Sequence, residues 1–539
     1  MRILGIQTGH DSNICLLEDG KIITHLEIER VSRVKQDRIW KKNNLGTYIN
    51  MIFKKCGVKW DDIDKIALIG AVHGRKNPRL VSEFSFIPES RHKDIHIVDH
   101  HVAHAAASFY FSPYEKSSIF SLDGGGNDGG GLLAYGNGNS IKVDKVLGTD
   151  FPGDGPVGQI WHKSMLLFSD TPNGPIGTEG VLMGASSYGT PIESLSKVLY
   201  HYFSNMTEAW KNFQPNILRL LNEKESQIWH EGKTFDPNNE QDYFDYCASL
   251  QLATEKYLEQ KCKEIKALHP HENKVCITGG VLLNCLAVGR IMPKYFDKIF
   301  AGPAITDGGL GMGAALYYYH HILNNPRSLP ADYMSPYLGF EREEGDILKA
   351  IQSCGVKITY EKINSIESVV GHIIDGKIVA LYQGRSEVGR RALGNRSILA
   401  DPRSKEMKKN INKKVKHRHW YRPFAPSILE EHVGEVFCDE YDSPYMSIAL
   451  KIRDEWVDKV PAVTHNNQTA RLQTVSEKIN PHYHKLISAF YQKTGVPLLL
   501  NTSFNDNEPI VETPEDALAC FLNTEIDYLY IGDFLVKKS

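Results

Sequence analysis

The chain has 539 residues, 41% of them hydrophobic and 24% charged, with a formal net charge of −3. That length exceeds what one growing hydrophobic core supports, so two or more domains are expected in an otherwise ordinary globular composition. The near-neutral balance gives no sign of a nucleic-acid partner, and no apolar run is long enough to span a bilayer.

The sequence opens directly on a strand, Ile3 to Gln7, without a signal-peptide pattern. A second strand from Ser12 to Leu17 and a third from Lys21 to Glu27 follow, joined by the turn Glu18-Asp19-Gly20. Next come a helix from Tyr48 to Cys56 and a strand from Lys65 to Ile69. Asp99 to Ala105 reads as helix. The succession then restarts: strand Ser118 to Leu122, a glycine turn, strand Leu132 to Tyr135, turn Gly136-Asn137-Gly138 and strand Ser140 to Val146. Two copies of this pattern predict a duplicated α/β unit. Tyr243 to Leu268 has helical apolar spacing and leads into a buried strand, Val275 to Thr278. The polar, proline-containing stretch Asn324 to Tyr337 reads as a linker, which places the domain division at 1–335 and 336–539. Beyond it, Lys377 to Tyr382 reads as a strand and Thr513-Pro514-Glu515-Asp516 as a capped helix start.

The nine cysteines include no C-x-x-C pair, and Cys15, Cys276 and Cys285 lie in apolar runs. Such thiols belong in a reducing compartment, so a cytoplasmic location is expected.

Three constellations carry chemistry. His100 and His104, four residues apart on a helix, share one face and can grip one metal ion. Asp123 and Asp307 each end an apolar run and enter a glycine turn, where a carboxylate can face a cleft or merely bond its own backbone. Two imidazoles and two carboxylates suit Fe(II), Mn(II) or Zn(II) better than Ca(II). The second constellation, Gly384 to Ser397, sets Arg385, Arg390, Arg391 and Arg396 among glycines, a pattern better explained by binding phosphate or carboxylate groups than by packing. Lys416, His417, Arg418 and Arg422 add to it, while Lys405, Lys408, Lys409 and Lys413 read as a solvated helix face. The third is His10 in the first turn with Lys35 after the third strand: a base and a phosphate partner, or two solvated side chains.

Taken in order, several strings resemble the O-carbamoyltransferases of the nodulation, cephamycin and tobramycin pathways. They are H-D-S at His10, H-H-V-A-H-A-A-A-S-F-Y at His100, L-D-G-G-G at Leu122, G-G-V-L-L-N-C at Gly279, G-R-S-E-V-G-R-R-A-L-G-N-R-S at Gly384, R-P-F-A-P at Arg422, T-A-R-L-Q-T-V at Thr469 and N-T-S-F-N at Asn501. The resemblance covers nearly the whole chain. It implies an N-terminal unit of the actin and Hsp70-like superfold, similar to the tRNA threonylcarbamoyl-transferase, and a C-terminal YrdC-like α/β unit. The second unit would use ATP, with Mg, and carbamoyl phosphate to form carbamoyl-adenylate. The first would pass the carbamoyl group to an acceptor hydroxyl, on a small molecule, a sugar or a modified nucleobase, releasing AMP.

Carried onto this chain, the metal positions are His100, His104, Asp123 and Asp307, with Fe(II) ahead of Mn(II) or Zn(II). His10 lies by the acceptor and Lys35 by the adenylate. Gly124, Gly125, Gly126, Gly280 and Asn284 line the nucleotide. Arg385, Arg391, Lys416, Arg418 and Arg471, with Asn501, Ser503 and Asn505, cradle ATP and carbamoyl phosphate. The chain departs from the family pattern where Val181 replaces a usual lysine, and at Val288 and Arg390, where asparagine and proline are common. The competing reading is an actin-like phosphotransferase or ATPase that releases ADP, which leaves the histidine pair and the arginine loop without a role.

Overall fold

The computed structural model describes residues 1–38, 44–70, 87–148, 157–168, 179–203, 206–222, 228–230, 233–327, 334–354, 358–363 and 365–539. Its first sheet holds β1 (Arg2–Gln7), β2 (Asn13–Glu18), β3 (Lys21–Glu27), β4 (Lys65–Ile69) and β5 (Ile95–Val98), in the order β3-β2-β1-β4-β5. β1 to β3 form an antiparallel meander, and β4 and β5 continue the sheet in parallel from β1. The second sheet holds β6 (Lys116–Gly126), β7 (Gly129–Asn137), β8 (Ser140–Leu147), β9 (Lys274–Thr278) and β10 (Lys298–Ala301), in the order β10-β9-β6-β7-β8. Its meander and parallel pairs repeat the first sheet strand for strand. This is the duplicated actin-like topology that the repeated strand pattern predicts.

Two helices cross between the sheets, His100–Phe109 and Leu310–Tyr317. The second is rich in glycine because it lies against backbone. A Cβ on Gly311 would come within 3.0 Å of Gly5 O in β1, and one on Gly313 within 2.0 Å of Ala103 O in the other helix. Ala103, Ala106, Ala107, Met312, Ala314 and Ala315 fill the space that remains. This close crossing brings the N-terminus of the histidine helix and the Asp307 turn to one place.

The predicted helix at Tyr48 starts earlier, at Leu45, and ends as expected at Cys56, capped by Gly57, whose φ of 67° suits a left-handed cap. The long helix spans Glu240–Leu268, with the Asn239 side chain accepting from the amides of Gln241 and Asp242. Thr513 and Asp516 form the expected reciprocal cap on the helix Pro514–Asn523.

The third sheet has eight strands. It comprises β11 (Ile358–Lys362), β12 (Val379–Tyr382), β13 (Arg396–Ala400), β14 (Ala425–Leu429), β17 (Gln473–Val475), β18 (Leu498–Ser503), β19 (Tyr528–Ile531) and β20 (Phe534–Lys538), in the order β11-β20-β19-β12-β13-β18-β14-β17. A two-stranded ribbon, β15 (Ala449–Lys451) with β16 (Thr469–Arg471), lies beside it. One apolar core runs without a break from the second sheet, through Phe120 and Ile277, to Ile398 and Leu529 of the third. The stretch read as a linker is tied down at both ends, its residues 328–333 lying outside those described. Arg327 donates to the carbonyls of Tyr114 at 2.6 Å and Ser112 at 2.7 Å, and the Tyr337 hydroxyl donates to Leu393 O at 2.8 Å. Among the described residues no helix is long and apolar enough to cross a membrane.

Candidate active site

The sequence places Asp123 at the end of an apolar strand, and the structure shows what turns it. β6 continues past the glycines to Gly126, but its ladder to β7 slips between Leu122 and Gly126. That bulge re-aims the Asp123 side chain out of the strand. Asp307 opens the short turn before the helix Leu310–Tyr317, and His100 and His104 lie in the first two turns of the helix opposite. The four residues converge, with one ligand atom of each within 4.8 Å of all the others. His104 Nε2 lies 3.3 Å from Asp123 Oδ2 and 3.3 Å from Asp307 Oδ1, and His100 Nε2 lies 3.5 Å from the same two oxygens.

The surroundings fix the roles of these atoms. Asp123 Oδ1 accepts from the amides of Gly124 at 2.7 Å and Gly280 at 3.1 Å, which leaves Oδ2 for the centre. Thr278 donates its one hydroxyl proton to Ile305 O at 3.2 Å, so it accepts from His104 Nδ1 at 3.2 Å. His104 Nε2 therefore turns to the carboxylates. Without a cation between them, that nitrogen must carry a proton to sit there. Burial lowers the His104 pKa, but hydrogen bonds to Asp123 and Asp307 outweigh it and raise it to about 9. Burial would likewise raise Asp123, and the two imidazoles instead hold it well below the carboxylate range. Two imidazole nitrogens and two carboxylate oxygens at this spacing fit a divalent transition metal.

His10 joins the edge of this centre. Its Nε2 lies 3.3 Å from Asp307 Oδ2, and its Nδ1 lies 3.3 Å from Asp11 Oδ2. Chiefly the Asp307 charge lifts its pKa to about 9.

A second cluster is entirely cationic. Arg391 from the loop after β12, Arg418 and Arg422 from the stretch before β14, and Arg471 from β16 stand close together. Each keeps part of its side chain open to solvent, yet the protein around it desolvates the charge. Burial first, and then the neighbouring guanidiniums, hold Arg391 and Arg418 well below the usual arginine range. None of the four makes a salt bridge to a carboxylate among the described residues, and the Nε atoms of Arg391 and Arg471 are buried without a partner. A cleft opens beside Arg471, lined by Cys285, Lys408, Tyr188, Tyr421 and Phe424 among others. Cations gathered without anions are the arrangement that a polyphosphate completes.

The remaining predicted residues divide between these clusters and the scaffold. Lys416 is buried and donates to Ser503 O at 2.5 Å and to Asn505 O and Oδ1, both at 2.7 Å, so Lys416, Ser503 and Asn505 form one group. Asn501, on β18 with Ser503, donates to Ala392 O and Ser427 Oγ, and its own Oδ1 is buried without a partner. The arginine loop splits. Arg391 enters the cationic cluster, but Arg385 donates to the carbonyls of Ile23, Leu338 and Gly339 at 2.7 to 2.8 Å. Arg396 lies over the Tyr382 ring and donates to Gln383 O. Asn284 caps the helix Cys285–Ile291 and pairs with Gln251. Gly126 is pressed against His100, where a Cβ would stand 2.6 Å from the ring. Gly125 lies in the turn with a φ of 145°. Lys35 is exposed, with Glu29, Glu508, Arg390 and Arg422 as its charged neighbours. Val181, in the usual lysine position, is buried in the apolar core.

Asp11, Asn13 and Thr278 were not singled out by sequence. Asn13 donates to Asp11 O at 2.7 Å and Asp307 O at 2.8 Å, and it accepts from the Gly311 amide at 2.8 Å, so it locks the first turn to the Asp307 turn. A buried asparagine directly after a turn was the available signal.

A duplicated actin-like unit with a candidate metal centre is fused through one core to a mixed sheet with a cationic cluster beside it, an α/β protein with two separate charged sites. Comparison with known proteins gives its family. Residues 2–84 and 75–316 match the carbamoyltransferase N-terminus and residues 370–538 the carbamoyltransferase C-terminus. Nodulation protein NolNO of Sinorhizobium fredii is 34% identical over 565 residues, covering 98% of this chain and 79% of its own. The 3'-hydroxymethylcephem-O-carbamoyltransferase of Amycolatopsis lactamdurans is 25% identical over 572 residues, covering 100% of both chains. Among solved structures, T. kodakarensis HypF aligns with a TM-score of 0.36 and 12% identity over 60% of this chain and 48% of that one. The chain belongs to the carbamoyltransferase family. It is an enzyme that transfers carbamoyl groups.

Proposed function

We propose that the protein is an ATP-dependent O-carbamoyltransferase that works in two steps. In the first, at residues 336–539, a YrdC-like unit, water takes the phosphoryl group of carbamoyl phosphate, leaving carbamate and phosphate. A carbamate oxygen then attacks the α-phosphorus of ATP, brought with Mg, and pyrophosphate leaves. Arg391, Arg418 and Arg471, with Lys416, Asn501, Ser503 and Asn505, hold the phosphates, and Arg385 braces the loop that carries Arg391. In the second step, at residues 1–335, an acceptor hydroxyl attacks the carbamoyl carbon of the adenylate and AMP leaves. Adenylation suits this chemistry because carbamate by itself is a poor acyl donor.

His100, His104, Asp123 and Asp307 would hold a divalent metal, Fe(II) first with Mn(II) or Zn(II) as alternatives. Bound there, it would neutralise charge developing on the leaving group. His10 takes the proton of the acceptor hydroxyl; a cation matching the Asp307 charge would remove the main cause that holds a proton on its ring. Lys35 and the glycine turns at Gly124 to Gly126 and at Gly280 line the adenylate, while the amides of Gly124 and Gly280 stay engaged by Asp123 Oδ1. The acceptor is a hydroxyl-bearing small molecule or sugar, in keeping with the hydroxymethylcephem named for one relative.

The observation that carries this reading is the cationic cluster without carboxylate partners among the described residues. The test is exchange of labelled pyrophosphate into ATP. Exchange that requires carbamoyl phosphate and is lost in Arg391→Ala supports the adenylate. Absence of exchange, or release of ADP in place of AMP, sinks it in favour of an actin-like phosphotransferase.

A further inference from the structure

Arg390 and Arg391 are adjacent in sequence and serve different stations. Arg391 faces the cationic cluster, whereas Arg390 turns to the first sheet and donates from Nη2 to Asp11 Oδ2 at 2.8 Å. That same oxygen lies 3.3 Å from His10 Nδ1. Asp11 is buried and held in left-handed backbone with a φ of 56°, its carbonyl fixed by Asn13. The loop that brings Arg390 is itself docked, because the Gly389 amide donates to Glu27 Oε2 at 2.9 Å and Arg30 donates to Gly389 O at 2.6 Å. A continuous series of contacts therefore runs from the loop of the third sheet through Asp11 and His10 to Asp307.

We propose that Arg390 is a positioning residue: it fixes Asp11, and through Asp11 the ring of His10, so that the transfer site is complete only while the loop bearing Arg391 is docked. This rests on the reading of His10 as the group beside the acceptor hydroxyl. Occupation of the cationic cluster, which Arg391 senses, is thereby tied to the geometry at His10. A buried carboxylate that orients an imidazole is a familiar device, and here its own orientation comes from the other unit.

The test is a double-mutant cycle on the full-length protein, with carbamoyl transfer and pyrophosphate exchange measured side by side. Arg390→Ala and Asp11→Asn are each expected to lower the kcat of transfer, relative to exchange, by about 10- to 100-fold. The double variant falls no further, because both changes break one contact series. The KM for ATP changes by less than about 3-fold, and Arg390→Lys restores most of the rate. Additive losses, or exchange falling in step with transfer, overturn the inference and make Arg390 a fastener of the loop. His10→Gln separates the two readings. Full transfer in that variant removes the role of His10 and the inference with it, whereas a dead His10→Gln beside an additive cycle removes the inference alone.

Discussion

The hydroxyl of Thr278 lies 3.2 Å from His104 Nδ1 and donates its own proton to Ile305 O. One β9 side chain thus selects the tautomer of a candidate ligand on the helix packed against it. Outer partners of this kind are worth about 10- to 100-fold in metal affinity. Thr278→Val keeps the shape and removes the acceptor. Its affinity for Mn(II) or Zn(II), titrated by calorimetry into metal-free protein, should fall by about that factor. An unchanged affinity would remove Thr278 from the centre.

Gly126 tests the same centre by shape. A Cβ there would stand 2.6 to 2.7 Å from atoms of the buried His100 ring, which must move. Gly126→Ala should therefore lose metal stoichiometry while unfolding at only about 1–3 kcal/mol lower stability, the usual cost of overpacking. Metal content by mass spectrometry and urea unfolding check the two halves. Full occupancy in the variant would place the metal away from His100.

Much of this architecture was legible in the sequence, and the gaps have physical causes. The strand repeat pointed to the duplicated sheet because each meander is made of short buried runs joined by tight turns at close range, and β3 and β4 fall at the predicted residues. His100 and His104 were legible because helical spacing is local. The arginine loop was not sorted by its spacing, since the acceptors of Arg385 are carbonyls of Ile23, Leu338 and Gly339, and the partner of Arg390 is Asp11. Those partners come together only when the sheets pack. Asn284 shows the same limit, because its capping bond to Ala287 and its pair with Gln251 use the groups expected at the nucleotide.

His25 ties the Asp307 turn to the first sheet, with Nε2 donating to Gly308 O at 2.7 Å. Burial is the main cause that pulls its pKa from 6.5 to about 4. Between those values the unfolded chain binds more protons than the folded one, so stability falls as pH falls. The contribution is complete above the unfolded pKa and lost as pH drops through the folded one. At pH 5 the loss from this residue amounts to about 2 kcal/mol. Urea unfolding at pH 7 and pH 5 should show His25→Gln losing about that much less than the unaltered chain. Equal losses would mean that His25 does not stay neutral in the fold.

The cationic cluster sets stability against binding. Four guanidiniums desolvated by the protein around them, with no carboxylate partner among the described residues, repel in the ligand-free protein. Arg391 makes the clearest case, since its Nε is buried without a partner and its backbone lies in a docked loop. Arg391→Met keeps much of the apolar stem and removes the charge. The ligand-free variant should gain about 1 kcal/mol, as sites built for binding commonly do when they are neutralised. Saturating ATP raises the melting temperature of a protein that binds it only in the folded state. That rise should be present in the unaltered chain and largely absent in Arg391→Met, with the KM for ATP up by 10-fold or more, an order-of-magnitude figure for one charge-assisted contact. Thermal melts with and without ATP read both effects together. A variant that is less stable when empty and still stabilised by ATP would show Arg391 to be holding the fold, and the phosphates would then lie elsewhere.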